Sequence, residues 1–375
     1  MYGHALWELS KQPEYESLVP FAGRDETYSS MHFQYMPSFS RSFAATLDVD
    51  GSATVSPRET WVGYDTGVWS FDSLEIRAFY ECLIEIARLF PPGFLGLDRE
   101  QSRRRFVNGN AGFTTSGLWD AQSLFGGAEG RLLRDAEPDP PGETVTVVNG
   151  ERRAGYRFNL EVMEYPLPGP DERWAEFELL PQSGASNGGG MFMVYTYSPN
   201  KDFAVDFLRY LGSVGVNERF NQQAGLAPAI VGAEARGIVR SFQADPRGIS
   251  SLIGITPQRG PTGLIGVRYT GQLKNLLTGD ISYEQFVADV QDAFDDPLNG
   301  MDRLWWRVDQ QDRDRARISD ATYAAVVAES VLLDEEPNAA RTASAFRRTA
   351  LKFSGIEAER LHRQLKPGEP FPKYE

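Results

Sequence analysis

The sequence predicts an α/β protein, and three features of the chain lead to this class. Apolar residues recur at helical spacing behind capping residues, most clearly from Asp72 to Phe90. The segment MFMVYTYS (191–198) has the pattern of a strand whose alternate residues lie on opposite faces, and a helical pattern follows it from Lys201. The 375 residues are 41% hydrophobic and 24% charged, a globular composition long enough for two ordinary domains or one large one.

The first half of the chain contains one strongly predicted helix. Residues 1–70 have weak periodicity, with a short hairpin expected over Leu47–Ser56 around Asp50-Gly51. Asp72 and Glu75 have the spacing of a capping box, and the helix behind them is ended by the Pro-Pro-Gly run at 91–93. The stretch 126–153 is rich in glycine, proline and charge, which predicts a loop or a linker.

The second half alternates strand and helix patterns. Tyr156–Tyr165 is predicted to be a strand, and Asn200 is predicted to cap a helix. The buried stripe expected for that helix consists of Phe203, Ala204, Phe207, Leu208 and Leu211. A short helix over Val216–Ala224 follows, and Ser282 with Gln285 predicts the start of another. The tail from Asp302 has two helical segments rich in both charges.

Charge and composition exclude several classes of function. The formal net charge is -14 and the isoelectric point about 4.9, which argues against binding to nucleic acid or to an anionic lipid surface. Cys82 is the single cysteine, so no intrachain disulfide or thiolate metal cluster can form. The three histidines lack metal-ligand spacing, and no phosphate-binding or dinucleotide motif is present, so we expect no metal and no cofactor.

The sequence shows neither the pattern of a targeting signal nor that of a membrane-spanning segment. The first residues lack the basic, apolar and small-residue regions of a secretory signal. No stretch of about 18 apolar residues occurs, so no membrane span is expected.

An unusual motif lies at 106–120, FVNGNAGFTTSGLWD. Glycines, two threonines and a serine precede Trp119, and Asp120 follows it. Gly117 permits close approach of the backbone to a ligand. A tryptophan presents a flat apolar face that can stack on the C–H face of a sugar ring, while neighbouring polar groups bind the hydroxyls. The alternative is that Trp119 covers the core at the start of a helix, and Asp120 could either accept hydrogen bonds from hydroxyls or cap that helix.

Five segments in order resemble the extracellular solute-binding proteins of carbohydrate ABC importers, the family that includes maltodextrin-binding protein. They are FVNGNAGFTTSGLWD, a strand with PLPGP, GGGMFMVYTYSPNKDFAVDFLRYLGS, FNQQAGLAPA and NLLTGDISYEQFVADVQDA. The family shows x-G-x-A-M-x-x-x-G-x-W, then S-x-N-K-E-x-A-x-x-F-L, then a G-x-x-P turn and a G-x-x-x-x-E-A-L helix. Gly112-Phe113 stands where the family usually has Ala-Met.

The resemblance implies a fold and a domain organisation. It implies a type II periplasmic-binding-protein-like α/β fold with two lobes joined by a hinge, the first lobe being incomplete. Residues 1–190 and 231–300 would form the second lobe, 191–230 would be a remnant of the first lobe, and 301–375 would be a C-terminal helical extension. The helix faces of the remnant, including Phe207 and Leu211, would then lack their usual partners. The chain is then either a fragment or a reduced homologue paired with another polypeptide.

The resemblance also implies site residues. Trp119 matches the family's sugar-stacking tryptophan, with Asp120 beside it. Other aromatic residues are candidate ligand contacts, each with core packing as the alternative: Phe33, Tyr35, Trp69, Tyr195 and Tyr269.

The function that the resemblance implies is binding, not catalysis. The chain would be the ligand-binding component of an ABC-type sugar uptake system, closing over a carbohydrate in an interlobe cleft and delivering it to permease subunits. The family is extracytoplasmic, whereas this sequence shows no signal peptide, so the location is left open. Two alternatives are a carbohydrate-active hydrolase, which needs two carboxylates about 5–10 Å apart in one aromatic-lined cleft, and a sensory or scaffolding homologue that has lost the ligand.

Overall fold

The computed structural model describes the greater part of the chain, and every structural statement below refers to that part. The main described ranges are 2–48, 54–117, 145–148, 151–154, 173–180, 198–224, 264–303 and 358–371. Some short stretches and single positions between these ranges are described as well. At 145–148 and 151–154 the backbone alone is described.

The chain clusters into two compact units. Unit one consists of Met1–Gln34 and Glu85–Ser251, and unit two of Tyr35–Ile84 and Leu252–Glu375. These boundaries differ from the lobe boundaries expected from the sequence, which stay a prediction. Over the described residues the chain is rich in helix and has few strands, in two two-stranded sheets.

Unit one contains a small parallel sheet. Strand β1 (Val19–Phe21) lies parallel to β2 (Ala111–Phe113), with Val19 opposite Ala111 and Phe21 opposite Phe113. Helix α1 (Tyr2–Ser10) contacts β1, and helix α6 (Arg99–Val107) contacts β2. The Phe21 ring packs 5.2 Å from that of Phe90 and 6.3 Å from that of Phe113, measured between ring centroids. These aromatic contacts hold the two strands against the core.

Local sequence explains where α6 begins. The Asp98 carboxylate accepts from the Gln101 N–H at 2.7 Å, and the Gln101 side chain accepts from the Asp98 N–H at 2.9 Å, which completes a capping box. Beyond β1 the chain turns into α2 (Asp25–Phe39), which crosses from unit one to unit two at Gln34 and Tyr35.

The rest of unit one adds a hairpin and a helix pair. Strands β3 (Val145–Val148) and β4 (Glu151–Ala154) are antiparallel. This hairpin corrects the expectation of a loop over 126–153, since the sequence between the strands is Asn149-Gly150, a dipeptide favoured in two-residue hairpin turns. Helix α7 (Lys201–Leu211) contacts α8 (Val214–Ala224), and Asn200 is at the N-cap of α7 as predicted, without a side-chain capping bond.

Unit two is a helical body around an aromatic core. It contains α3 (Arg41–Leu47), α4 (Pro57–Asp65), most of α5 (Leu74–Ala87), α9 (Leu264–Thr278) and α10 (Tyr283–Phe294). The Phe71 ring is central, with edge contacts to Phe286 at 6.1 Å and to Phe294 at 5.3 Å. A helix is present where the pattern predicted one, but the predicted capping residue is wrong by one position. The helix begins at Leu74, and it is the Ser73 carbonyl, not that of Asp72, that accepts from the Arg77 N–H. Ser282 caps α10 as predicted.

The hairpin expected over Leu47–Ser56 is wrong at both ends. Leu47 is the last residue of α3, and Ser56 is the N-cap of α4. A full capping box between Ser56 and Glu59, with Pro57 in the first helical position, explains why a helix begins here rather than a strand.

Candidate functional site

A group of polar side chains gathers at the carboxyl ends of β1 and β2 in unit one. Parallel strands end at the same edge of a sheet, and ligands of open α/β sheets bind outside that edge. After β1 the chain runs through Gly23 and Arg24 into α2, and after β2 it runs through Thr114 and Thr115. This edge is therefore the place in unit one to search for a ligand site.

Backbone contacts fix the two chain segments beside each other. The Ala22 N–H donates to the Phe113 carbonyl at 2.8 Å, and the buried Ser102 hydroxyl donates to the Ala22 carbonyl. A Cβ on Gly23 would lie 2.3 Å from the Phe90 ring, so only glycine lets the backbone pass this ring. The position of the turn into α2 is thus fixed by the hydrogen bonds of Ala22 and by the packing of Gly23 against Phe90.

Four hydroxyl groups meet at this edge, and we call them the hydroxyl cluster: Thr27, Ser30, Thr115 and Tyr165. The Oγ1 atoms of Thr27 and Thr115 are 3.1 Å apart across 88 residues of sequence. Thr27 Oγ1 also accepts from the Arg24 N–H at 3.1 Å. The Tyr165 hydroxyl is hydrogen-bonded to the hydroxyls of Thr115 and Ser30. The cluster therefore joins the first turns of α2 to the chain after β2.

The four side chains of the hydroxyl cluster carry no charge at neutral pH, while Asp25 and Glu26 lie in the first turn of α2 beside them. Burial raises the pKa of the Tyr165 phenol from 10.0 to about 12, against the opposing effects of Thr115, Ser30 and Arg24. The phenol, which is protonated at neutral pH in any case, thus keeps its proton further into the alkaline range. Arg24 is buried, and its Nε and Nη2 atoms each lie 3.2 Å from an oxygen of the exposed Glu26. The one cation beside the cluster in the described part of unit one therefore has a carboxylate partner.

Two of the predicted site residues, Trp119 and Asp120, follow in sequence the segment that contains Thr115. Trp119 and Asp120 lie outside the described residues, and Gly117 is the last residue described before them. Thr115 of the hydroxyl cluster is four residues before Trp119. Phe33 lies in α2, where its backbone alone is described.

The other predicted aromatics lie in different surroundings. Trp69 is 1% exposed in the core of unit two, and its indole N–H donates to the Thr60 carbonyl at 2.7 Å. Tyr269 is 3% exposed, with its hydroxyl 2.5 Å from that of Tyr80. Tyr35 is 1% exposed, whereas Tyr195 is 70% exposed. The rings of Tyr35, Trp69 and Tyr269 are thus covered by protein in this structure, and their role in ligand binding stays a prediction.

Sequence reasoning did not single out Arg24, Thr27 or Tyr165. Thr27 and Thr115 come together only through the parallel pairing of β1 with β2, which no local pattern reports. The one available signal was that Thr114 and Thr115 lie a few residues before a candidate stacking tryptophan.

Another group with a shifted pKa, the carboxyl of Asp65, lies in unit two. It is at the end of α4, near the helical segment 358–365. Asp65 Oδ2 is 3.6 Å from both His362 Nε2 and Lys366 Nζ. Burial raises the pKa of the Asp65 carboxyl, with Asp302 adding to the rise and Lys366 and His362 opposing it. Asp302 itself accepts from the Trp61 indole N–H at 3.1 Å. Both carboxylates are thus engaged with other side chains of unit two.

Neither a metal site nor a membrane span is found within the part of the chain that the structure describes. No three or more His, Cys, Asp or Glu side chains there are arranged to hold a metal ion. None of the helices there is both long and apolar enough to cross a bilayer.

Comparison with known proteins gives only distant likenesses. No family model and no curated protein matches the sequence. Among solved structures, a chitin oligosaccharide binding protein is similar with a TM-score of 0.41 and 14% identity, over 76% of this chain and 62% of that chain. A Streptococcus pneumoniae solute-binding protein, solved with the blood group A-trisaccharide, has a TM-score of 0.42 and 12% identity, over 78% of this chain and 61% of that chain. The chain spans about three-fifths of the length of these proteins, and scores this low do not establish a shared fold.

Proposed function

We propose that the chain binds a carbohydrate at the hydroxyl cluster, with Trp119 stacking on the sugar ring, and that it catalyses no reaction. The observation that carries the proposal is the contact between Thr27 and Thr115, which places a group of neutral hydroxyls beside the segment that leads to Trp119. Each step of the proposal follows from the chemistry of these residues.

The hydroxyl cluster has the chemistry that sugars require. A side-chain hydroxyl is both a donor and an acceptor of hydrogen bonds, as is each hydroxyl of a sugar. A tyrosine is protonated at neutral pH, and burial raises the pKa of Tyr165 further, to about 12, so its hydroxyl can donate. Thr115 and Tyr165, which are only partly buried, can therefore exchange bonds within the cluster for bonds to ligand hydroxyls, while Thr27 is 1% exposed and holds Thr115 in place.

The stacking residue is within reach of the cluster. A chain of four residues spans at most about 14 Å, so the backbone of Trp119 is no further than this from that of Thr115. A sugar ring between the two could place its apolar face on the indole and its hydroxyls on the cluster. Asp120 would then be an acceptor at the edge of the same ring.

The charge balance favours a neutral sugar over an acidic one. The Arg24 guanidinium beside the cluster is already paired with Glu26, and the four side chains of the cluster are uncharged. A ligand carboxylate would have to displace Glu26, while a neutral sugar leaves the pair in place. We therefore expect uronic and sialic acids to bind more weakly than neutral sugars of the same size.

The proposal also includes a role in sugar transport, which is supported by the ordered series of five sequence motifs. The resemblance to solute-binding proteins of carbohydrate ABC importers supports a function as the ligand-binding component of an ABC-type sugar uptake system. Its partners would be the permease subunits, and its place would be outside the cytoplasm.

Binding is tested with purified protein by isothermal titration calorimetry and thermal melting against neutral and acidic mono- and oligosaccharides. A ligand that binds the native state alone raises the melting temperature as its concentration exceeds Kd. The proposal predicts a shift with a neutral sugar class that is lost in Trp119→Ala and kept in Trp7→Ala, the control at a partly exposed tryptophan of α1 in the same unit. No shift with any sugar would contradict it.

A second candidate is a sensory or scaffolding homologue that kept the fold and lost the ligand. One observation favours it: Tyr35, Trp69 and Tyr269, predicted as ligand contacts, are all buried among other side chains. The same sugar panel separates the two candidates, because this second one predicts a cooperative melt that no sugar shifts.

A further inference from the structure

Residues 358–371 pack against α4 in unit two, and we call them the 358–371 strap. Three side chains of its helical part share one face and are at most 2% exposed: Ala358, Leu361 and His362. Beyond the helical part the chain turns, and the ring of Phe371 lies 5.4 Å from that of His362, measured between centroids. The Phe371 ring also makes an edge contact with Trp61 of α4 at 5.7 Å. The strap is therefore attached to unit two by apolar packing at both of its ends.

Between these apolar contacts, a small group of charges surrounds the last residue of α4. Asp65 Oδ2 lies 3.6 Å from both His362 Nε2 and Lys366 Nζ. Lys366 Nζ also donates to the Asp65 carbonyl at 2.8 Å, and it lies 4.0 Å from Glu369 Oε2 at the exposed rim. Outside the strap, Asp302 acts on the Asp65 carboxyl as a second negative charge. The attachment of the strap thus includes a carboxylate of α4 as well as apolar surface.

The polar contacts of this group are incomplete as long as His362 is neutral. Asp65 Oδ2 and His362 Nδ1 are buried, and neither has a hydrogen-bond partner among the residues that the structure describes. A separation of 3.6 Å is longer than an ordinary hydrogen bond. With a neutral imidazole, the carboxylates of Asp65 and Asp302 share the single ammonium of Lys366. Burial and the charge of Asp302 raise the pKa of the Asp65 carboxyl, which shows that its ionised form is incompletely compensated.

A proton on His362 changes this balance. Histidine is the side chain that ordinarily changes its charge between about pH 5 and 8. A protonated imidazole forms an ion pair with Asp65 that the neutral ring cannot form, and burial limits the screening of this pair by salt. We propose that the 358–371 strap is a pH-sensitive device, held on α4 more tightly when His362 is protonated and released more readily when it is neutral. This inference does not depend on the sugar site.

Hydrogen exchange of the whole chain, followed by mass spectrometry from about pH 5 to 8, tests the strap. The protection of peptide 358–371, corrected for the intrinsic exchange rate at each pH, reports how often the strap opens. An opening that releases one proton becomes at most about tenfold more frequent per pH unit, so protection should fall by up to this factor as the pH rises. The peptide of α10, in the same unit, is the internal reference and should keep its protection.

Two variants assign the pH dependence to the pair. His362→Gln keeps a polar side chain that cannot take up a proton, so the protection of its strap should no longer change with pH. Asp65→Asn removes the charged partner and should flatten the dependence in the same way, which decides the question if His362→Gln does not fold. His4→Gln, in α1 of unit one, is the matched control and should behave as wild type.

Three results would overturn the proposal. The first is wild-type protection of the strap that stays level or rises with pH. The second is a fall in protection that a folded His362→Gln or Asp65→Asn retains, because other groups would then be responsible. The third is a fall that the α10 peptide shares, since the whole unit and not the strap alone would then be opening.

Discussion

The Oγ1 atoms of Thr27 and Thr115 lie 3.1 Å apart although 88 residues separate them in sequence. The contact depends on the parallel pairing of β1 and β2, which brings the start of α2 beside the segment that leads to Trp119. Tyr165 bonds to the same Thr115, so a third part of the chain meets the other two here. Three segments thus converge on one hydroxyl group, and this group is the natural place to test the proposed site.

Thr115→Val removes that hydroxyl and keeps the shape of the side chain. Loss of one hydrogen bond to the ligand should raise the Kd for a neutral sugar roughly fivefold, for a net bond of about 1 kcal/mol. Titration calorimetry measures this change. Thr278→Val, at an exposed threonine of α9, is the control and should leave Kd unchanged. An unaltered Kd in Thr115→Val, with binding otherwise present, would place the sugar elsewhere.

Tyr165 should make the fold sensitive to alkali. Its pKa in the folded chain is about 12 against 10.0 for the free side chain, so the folded state holds the proton more tightly. The resulting stability is complete below pH 10 and is lost as the pH rises from about 10 to about 12. Urea unfolding across this range should show a smaller loss of stability in Tyr165→Phe than in wild type. Tyr15→Phe, at an exposed tyrosine, should behave as wild type, and identical slopes for all three proteins would refute the assignment.

His32 should make the fold sensitive to acid. It is fully buried in α2, and burial lowers the pKa of its imidazole from 6.5 to about 3. Because the unfolded chain takes up this proton first, stability is complete above pH 6.5 and falls as the pH drops from 6.5 towards 3. NMR titration of the three histidines provides the readout. The His32 ring should stay neutral until the chain unfolds, and a His32 resonance that titrates near pH 6.5 in the folded protein would contradict the structure.

The segment 358–371 should contribute to the stability of unit two. Leu361 is 1% exposed, and Lys366 Nζ donates to the Asp65 carbonyl at the end of α4 at 2.8 Å. Leu361→Ala should lower the free energy of unfolding by about 2–5 kcal/mol, as for other buried leucines. Leu298→Ala, at a leucine that is 69% exposed, should cost far less. Equal values from urea unfolding would mean that Leu361 is not packed as the structure shows.

Two helix starts could be predicted from the sequence alone, because a helix start depends on a few neighbouring residues. Ser282 caps α10 through its side chain as predicted, and Asn200 is at the N-cap of α7 as predicted, although its side chain makes no capping bond. The predicted buried stripe of α7 was wrong for Phe203 and Phe207, which are mostly exposed. Periodicity shows which side chains share a helix face, but it does not show whether another element covers that face.

The candidate site was predictable only in part. The sequence indicated the segment before Trp119, because glycines and hydroxyls next to a tryptophan are a local pattern. It could not indicate Thr27 or Tyr165, since their contacts to Thr115 are set by strand pairing and packing far along the chain. Trp69 and Tyr269 show the converse limit, because an aromatic residue in a core and one in a sugar site look the same in sequence.

Titration of wild type and Trp119→Ala with the neutral sugar panel, followed by calorimetry and thermal melting, tests the central claim most directly. The account predicts that one neutral sugar class binds wild type and Trp7→Ala alike. It also predicts that Trp119→Ala loses this binding while its unliganded melt is unchanged. Binding that survives in Trp119→Ala, or the absence of binding by every sugar to a folded wild type, would contradict the account.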